Sequence, residues 1–219
     1  MSTPLTSDAP LDAATALEAI EDQQATHRSR MEIRSAPILL AWGLAWLVGY
    51  TAGRLGLEDN YTVAAPHSLV FIACLVAAGI FTVAYIARRA RGLRGRSSRF
   101  GATYGMAWCA AFAVAEVLMS RLGSFLDSVG TAQANEMAMI VSNGIPCLIV
   151  GSMFMIGGSL SDEPVITATG GWILTVTTVA TLVGGSAMWL IMAVAGSSGF
   201  FVAAALSTRS ESRRAAVVS

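Results

Sequence analysis

A carboxylate and a carboxamide are the two side chains in this sequence best placed to do chemistry away from water. Glu116 lies in the apolar stretch 101–120 and Asn143 in the apolar stretch 137–158. An ionisable group within a membrane-spanning helix is costly enough that a functional role is its default reading. At about 100° per residue, Gly101, Gly105, Cys109 and Ala113 fall within about 60° of Glu116. The carboxyl is therefore expected to project from a small-residue face into a helix bundle. Arg121 is about 140° away around the same helix and is a poor local counter-ion. Asn143 is the expected partner, because both residues lie about 6–10 Å in from the same end of adjacent antiparallel helices. His67, Tyr50 and Thr178, with Thr181, lean toward that same half. Together these residues would line an outward-facing pocket for a substrate or a coupling ion. His67 would be its pH-sensitive member, or simply an interfacial residue beside Pro66.

Three further patterns bear on such a pocket. Asn143, Cys147 and Gly151 recur every fourth residue around Pro146, which is expected to bend the helix and free carbonyls beside the polar stripe. Trp42, Trp46 and Tyr50 form one stripe, and Ala41, Ala45, Gly49 and Gly53 form another. The small stripe reads as a packing seam, and the aromatic one as packing, lipid anchoring or stacking on a flat or cationic substrate. Gly196-Ser197-Ser198-Gly199 falls mid-span and reads either as close packing or as a broken helix exposing backbone groups.

The elements that hold these residues are set by where charge is absent. With 54% hydrophobic residues and a mean hydropathy of +0.61 over 219 residues, the chain has more apolar surface than a water-soluble domain of its size buries. Six stretches approach the roughly 20 residues a membrane helix requires: 36–53, 66–87, 101–120, 137–158, 165–183 and 188–206. The fold class expected is an all-α, six-helix membrane bundle. The run 165–206 would be about 63 Å long as one helix, so it is divided at Gly184-Gly185-Ser186. Ser35 and Pro37, Pro66, and Ser161-Asp162-Glu163-Pro164 mark helix starts. The segment from Arg121 to Glu136 is expected to form helix extensions around Gly130.

Every basic residue is Arg, and most lie in three clusters: Arg28 to Arg34, Arg88 to Arg99 and Arg209 to Arg214. Such clusters mark the cytoplasmic side, which places both termini there. Residues 1–35 are then a cytoplasmic tail, 36–206 the membrane domain and 207–219 a second tail. The acidic-to-basic polarity of the first tail suits a juxtamembrane helix from Leu11 to Arg34, either a docking element for a partner protein or a solvated lead-in. Arg88, Arg89, Arg91, Arg94, Arg96 and Arg99 suit anionic lipid headgroups at about 1 kcal/mol each. So short a tethered loop argues against nucleic acid. The three spans on each side of Arg121–Glu136 suggest an inverted repeat, although the two halves show no sequence match.

What is missing narrows the function. Without Lys there is no GxxxxGK[ST] loop and no Schiff-base residue. There is no HExxH or GxSxG motif, and Cys74, Cys109 and Cys147 are isolated within spans. These absences favour a non-enzymatic protein with no metal and no cofactor. No positively charged leader precedes the first span, which is expected to be retained.

The segments Trp42-Gly-Leu-Ala-Trp46-Leu-Val-Gly49-Tyr50 and Met192-Ala-Val-Ala-Gly196-Ser-Ser-Gly199-Phe-Phe-Val-Ala-Ala-Ala resemble a group of small six-span membrane proteins of actinobacteria loosely called transporters. The absence of Lys agrees with the GC-rich genomes of that group. The resemblance implies a multi-pass plasma-membrane protein and assigns no site residue. The function expected is a small secondary transporter or permease subunit, self-associating or not. Its rivals are a sensing, immunity or partner-anchoring membrane protein and, third, an intramembrane enzyme.

Overall fold

The computed structural model describes residues 34–89 and 96–218. Helix α1 spans Ala36–Leu55, α2 Ala65–Arg89, α3 Arg96–Val129, α4 Ala132–Leu160 and α5 Pro164–Val183. The sixth span opens with α6, Gly185–Ile191, passes through a π-helical turn, Met192–Gly196, and continues as α7, Ser197–Val218. Six helices are long and apolar enough to cross a membrane. The juxtamembrane helix expected over Leu11–Arg34, together with Arg91 and Arg94, lies outside the described residues, except for Arg34 itself.

Local chemistry accounts for the boundaries. Pro37 stands in the first turn of α1 and Pro164 opens α5, where a missing N–H leaves no helical carbonyl unpaired. Thr131 caps α4, its hydroxyl accepting from the Ala134 N–H at 3.2 Å. Gly184 and Gly185, at φ of 64° and 54°, make the turn between α5 and α6, in a backbone region that side chains disfavour. The helix extensions expected around Gly130 are formed: α3 runs past Ser120 through Arg121 and Asp127 to Val129, a length of about 51 Å, and α4 begins at Ala132. Apolarity marks the stretch that suits hydrocarbon, but polar residues such as Ser, Arg and Asp continue a helix readily once it is started. For the same reason α7 continues into the segment read as a C-terminal tail.

The connections α1–α2, α3–α4 and α5–α6 meet at one end of the bundle. Asn135 donates to the Asn60 carbonyl at 3.0 Å, and the Glu136 carboxylate accepts from the Gly185 N–H at 2.9 Å. At the same end a single bridge pairs Leu57 with Val63.

Helix α4 packs closely on α5, α1 packs on α2 and on α7, and α3 packs on α4. The α4–α5 contact depends on glycine. A Cβ at Gly170 would stand 2.5 Å from the Gly151 carbonyl oxygen and 2.7 Å from the Met155 nitrogen. The two backbones are therefore in direct contact, the usual way helices associate where water supplies no driving force. Helices α2 and α3 are peripheral. Each packs mainly on one neighbour, and the two do not pack closely against each other although they are consecutive in the chain. The core is aromatic at its centre: Trp46 meets Tyr50 and Phe200 edge-to-face at 5.4 and 5.0 Å, and Phe200 meets Phe154 at 6.2 Å. The stripe Trp42, Trp46 and Tyr50 is thus packing rather than lipid anchoring, with the Trp42 indole donating to Thr82 Oγ1 at 3.0 Å.

Candidate functional site

Helix α4 carries the polar groups that the other helices grip. On one face, every third or fourth residue from its first turn, stand Glu136, Met139, Asn143, Cys147 and Gly151. Glu136 caps the start of α6, where negative charge also suits the helix dipole. Met139 Sδ receives the Trp189 indole N–H at 3.0 Å. Asn143 Oδ1 accepts from the Tyr50 hydroxyl at 2.6 Å, and the Cys147 thiol lies 3.7 Å from that hydroxyl. Thr177 of α5 stands beside the thiol, its buried Oγ1 without a hydrogen-bond partner among the described residues.

The resulting centre joins α1, α4 and α5 and is closed from outside. Tyr50, Asn143, Cys147 and Thr177 are 4%, 8%, 2% and 7% exposed. Phe71 and Trp189 wall it, their rings 5.1 and 5.7 Å from that of Tyr50. The amide of Asn143 is only half satisfied. Its oxygen is bonded, while its buried Nδ2 has no hydrogen-bond partner among the described residues. An amide has two N–H donors to place, and burying them unpaired is unfavourable. Chemically the site holds neutral donors, a soft thiol and aromatic walls.

Of the residues expected to converge here, the structure brings together Tyr50 and Asn143. Glu116 is a correction: it is exposed on α3, and the residue turned inward is its neighbour Ala115, 2% exposed. The small residues around Glu116 do not mark a seam within the bundle. At Gly101 and Gly105 an added Cβ would meet nothing within 4 Å. Helix α3 instead packs through Tyr104 and Trp108. The Tyr104 hydroxyl donates to the Met153 carbonyl at 2.6 Å, and Trp108 meets Phe154 at 6.1 Å. Asn143 therefore has Tyr50 for a partner, not Glu116. Thr178 is also a correction: it is exposed and returns its hydroxyl to the Leu174 carbonyl at 2.8 Å. His67 sits against Gly56 at the start of α2, its Nδ1 buried without a partner among the described residues. The expected open pocket is not formed by these five residues. An open groove of about 300 Å³ lies between α1 and α2, lined by apolar side chains such as Ala41, Val48 and Phe81 and by Cys74.

Thr177 and the contacts of Cys147, Met139 and Trp189 are what sequence reasoning missed. The spacing of seven between Gly170 and Thr177 was the available signal, since such residues share a helix face. The remaining patterns resolve toward packing. Helix α4 is continuous through Pro146. At Gly196 the helix widens into a π turn instead of breaking, and the Trp172 indole donates to the Ala195 carbonyl there at 2.8 Å. Ser197 bonds the Ala193 carbonyl and Ser198 that of Ala195, so the loosened backbone is satisfied. Gly49 lies against Phe71, and Gly53 against Trp189. Arg88, Arg89 and Arg99 are exposed at the end of the bundle away from Asn60, with Arg89 5.5 Å over the Tyr85 ring. No group of three or more His, Cys, Asp or Glu able to hold a metal occurs among the described residues. No protein-family model, curated protein or solved structure matches the chain.

Proposed function

We propose that the protein is a multi-pass plasma-membrane permease subunit for a small solute, with Tyr50, Asn143, Cys147 and Thr177 as its substrate-facing centre. The observation that carries this reading is the half-satisfied amide of Asn143, buried where three helices meet. A polar group held inside a membrane bundle without a full set of partners is suited to a ligand that supplies them. Pro146 beside it gives α4 a place to bend. The helix contacts lend support. An inverted repeat would relate α1–α2 to α4–α5, and α1 with the sixth span to α4–α3, and all four pairs are in contact. The third related pair is asymmetric, since α5 packs on the sixth span while α2 and α3 stand apart. Two halves in different states are what alternating access requires. Under this reading the Arg clusters face the cytoplasm and contact anionic lipid, and both termini lie on that side.

The test uses Cys147 as a reporter in a C74A/C109A background. In membrane vesicles, a membrane-impermeant thiol reagent should modify Cys147 slowly, and Tyr50→Phe should speed the reaction. Proteoliposomes should swell in iso-osmotic solutions of at least one small neutral or anionic solute, and Asn143→Ala should change the rate. A Cys147 inert from both sides, with swelling no faster than in empty liposomes, overturns the reading. A second reading, a non-transporting membrane protein that works by assembly, is favoured by the outward position of Glu116.

A further inference from the structure

Helix α3 presents two faces of opposite character. Trp108, Phe112 and Ala115 turn toward the bundle. About 180° away, Met106, Ala110, Ala113, Val117 and Ser120 are all exposed, Met106 at 64% and Val117 at 61%. These five residues alternate in steps of three and four, the spacing of a two-helix seam, and three of them are small enough for close approach. Glu116 flanks the seam on one side and Arg121 on the other, both exposed.

The flanking charges identify what covers the face. Glu116 and Arg121 are five residues apart, about 140° around the helix and about 7.5 Å along it, so within one chain they diverge. Across a parallel pair of helices, one flank of the first helix lies beside the opposite flank of the second. A five-residue offset is then the spacing at which flanking charges meet. Two copies of one chain inserted the same way in a membrane hold their α3 helices parallel, and a two-fold axis makes the contact twice. We propose that α3 pairs with α3 of a second copy through this seam, Glu116 of each copy bonding Arg121 of the other. The pairing gives Glu116 a counter-ion that no ion pair among the described residues provides. It does not rest on the permease reading.

The test is cross-linking in native membranes, in the C74A/C109A background with Cys147 retained because it is buried. Ala113→Cys should form a disulfide-linked dimer on mild oxidation. Val76→Cys on α2, 53% exposed, should not. Adding E116R or R121E alone should lower the Ala113→Cys dimer at least tenfold, and E116R/R121E together should restore it to within twofold. Equal cross-linking at positions 113 and 76 overturns the proposal. So does a double swap that inserts and stays monodisperse in detergent yet fails to restore the dimer. If the charge variants do not insert, the comparison of positions 113 and 76 with native charges decides alone.

Discussion

Removing the Tyr50 hydroxyl should destabilise the bundle, whereas removing the Asn143 amide should not. In the native centre the Tyr50 O–H is the donor to Asn143 Oδ1, at 2.6 Å, and Nδ2 has no partner among the described residues. Tyr50→Phe therefore leaves a wholly unpaired amide, apart from the weak approach of the Cys147 thiol to Oδ1 at 3.8 Å. A buried polar group deprived of its partner costs about 1–3 kcal/mol. Interhelical hydrogen bonds measured within membranes average about 0.6 kcal/mol and reach about 1.7. The loss should accordingly be about 1–2 kcal/mol. Asn143→Leu has a similar volume and deletes two donors that were already unpaired, leaving the Tyr50 hydroxyl with the Cys147 sulfur 3.7 Å away. It should be neutral or stabilising by up to about 1 kcal/mol. In the double variant Tyr50→Phe has no partner left to orphan, so it should cost less than about 0.5 kcal/mol. Unfolding in mixed micelles against increasing denaturing detergent, followed by tryptophan fluorescence, measures all three. A Tyr50→Phe that is neutral alone, or that costs the same with and without Asn143, would refute the assignment of the bond.

Neighbouring glycines of α5 should respond oppositely. Gly170→Ala drives a Cβ into the α4 backbone and should cost about 1–3 kcal/mol. At Gly171 a Cβ meets nothing within 4 Å, and Ala should stabilise the helix by about 0.5–1 kcal/mol; the same unfolding titration ranks the two. Glu136→Ala removes the acceptor of the Gly185 N–H and should cost about 1 kcal/mol, with faster amide hydrogen exchange at Gly185. Trp172→Phe leaves the Ala195 carbonyl with one donor fewer. It should lower stability by about 1 kcal/mol and raise exchange in the π turn.

The six helices and most of their ends were legible because the signals are local. Apolar length identifies a span, and Pro37, Pro164 and the Gly184-Gly185 pair mark boundaries through backbone chemistry at their own positions. The end of α3 was legible from Gly130, φ 67°, around which the extensions were expected, and not from where hydropathy falls. The site was half legible. Tyr50 and Asn143 were picked out as polar groups in one half of the membrane, but which helix faces which is decided by packing across the chain. Glu116 shows the limit most clearly. A small-residue stripe says that something approaches closely. It does not say whether the neighbour belongs to the same bundle, and here the aromatic side of α3, Trp108 and Phe112, took the place against α4.

The two faces of α3 also bear on which parts of the bundle can move. Helix α3 is tied to α4 by the Tyr104 bond to the Met153 carbonyl and by the Trp108–Phe154 contact, and α4 is locked to α5 through Gly151 and Gly170. A dimer formed through the opposite face of α3 would join two such sets back to back. The polar centre lies where this set meets α1, whose own close partners are α2 and α7. Across that boundary the direct polar link among the described residues is the Tyr50–Asn143 bond with the adjacent thiol. The sixth span stays tied to this set through Glu136 with Gly185, Met139 with Trp189 and Trp172 with Ala195, so an opening at the polar centre parts α1 from α4 alone. One hydroxyl–amide contact there stands against backbone-close packing of α4 on α5, and opening exposes the Asn143 amide, whose N–H groups lack partners among the described residues.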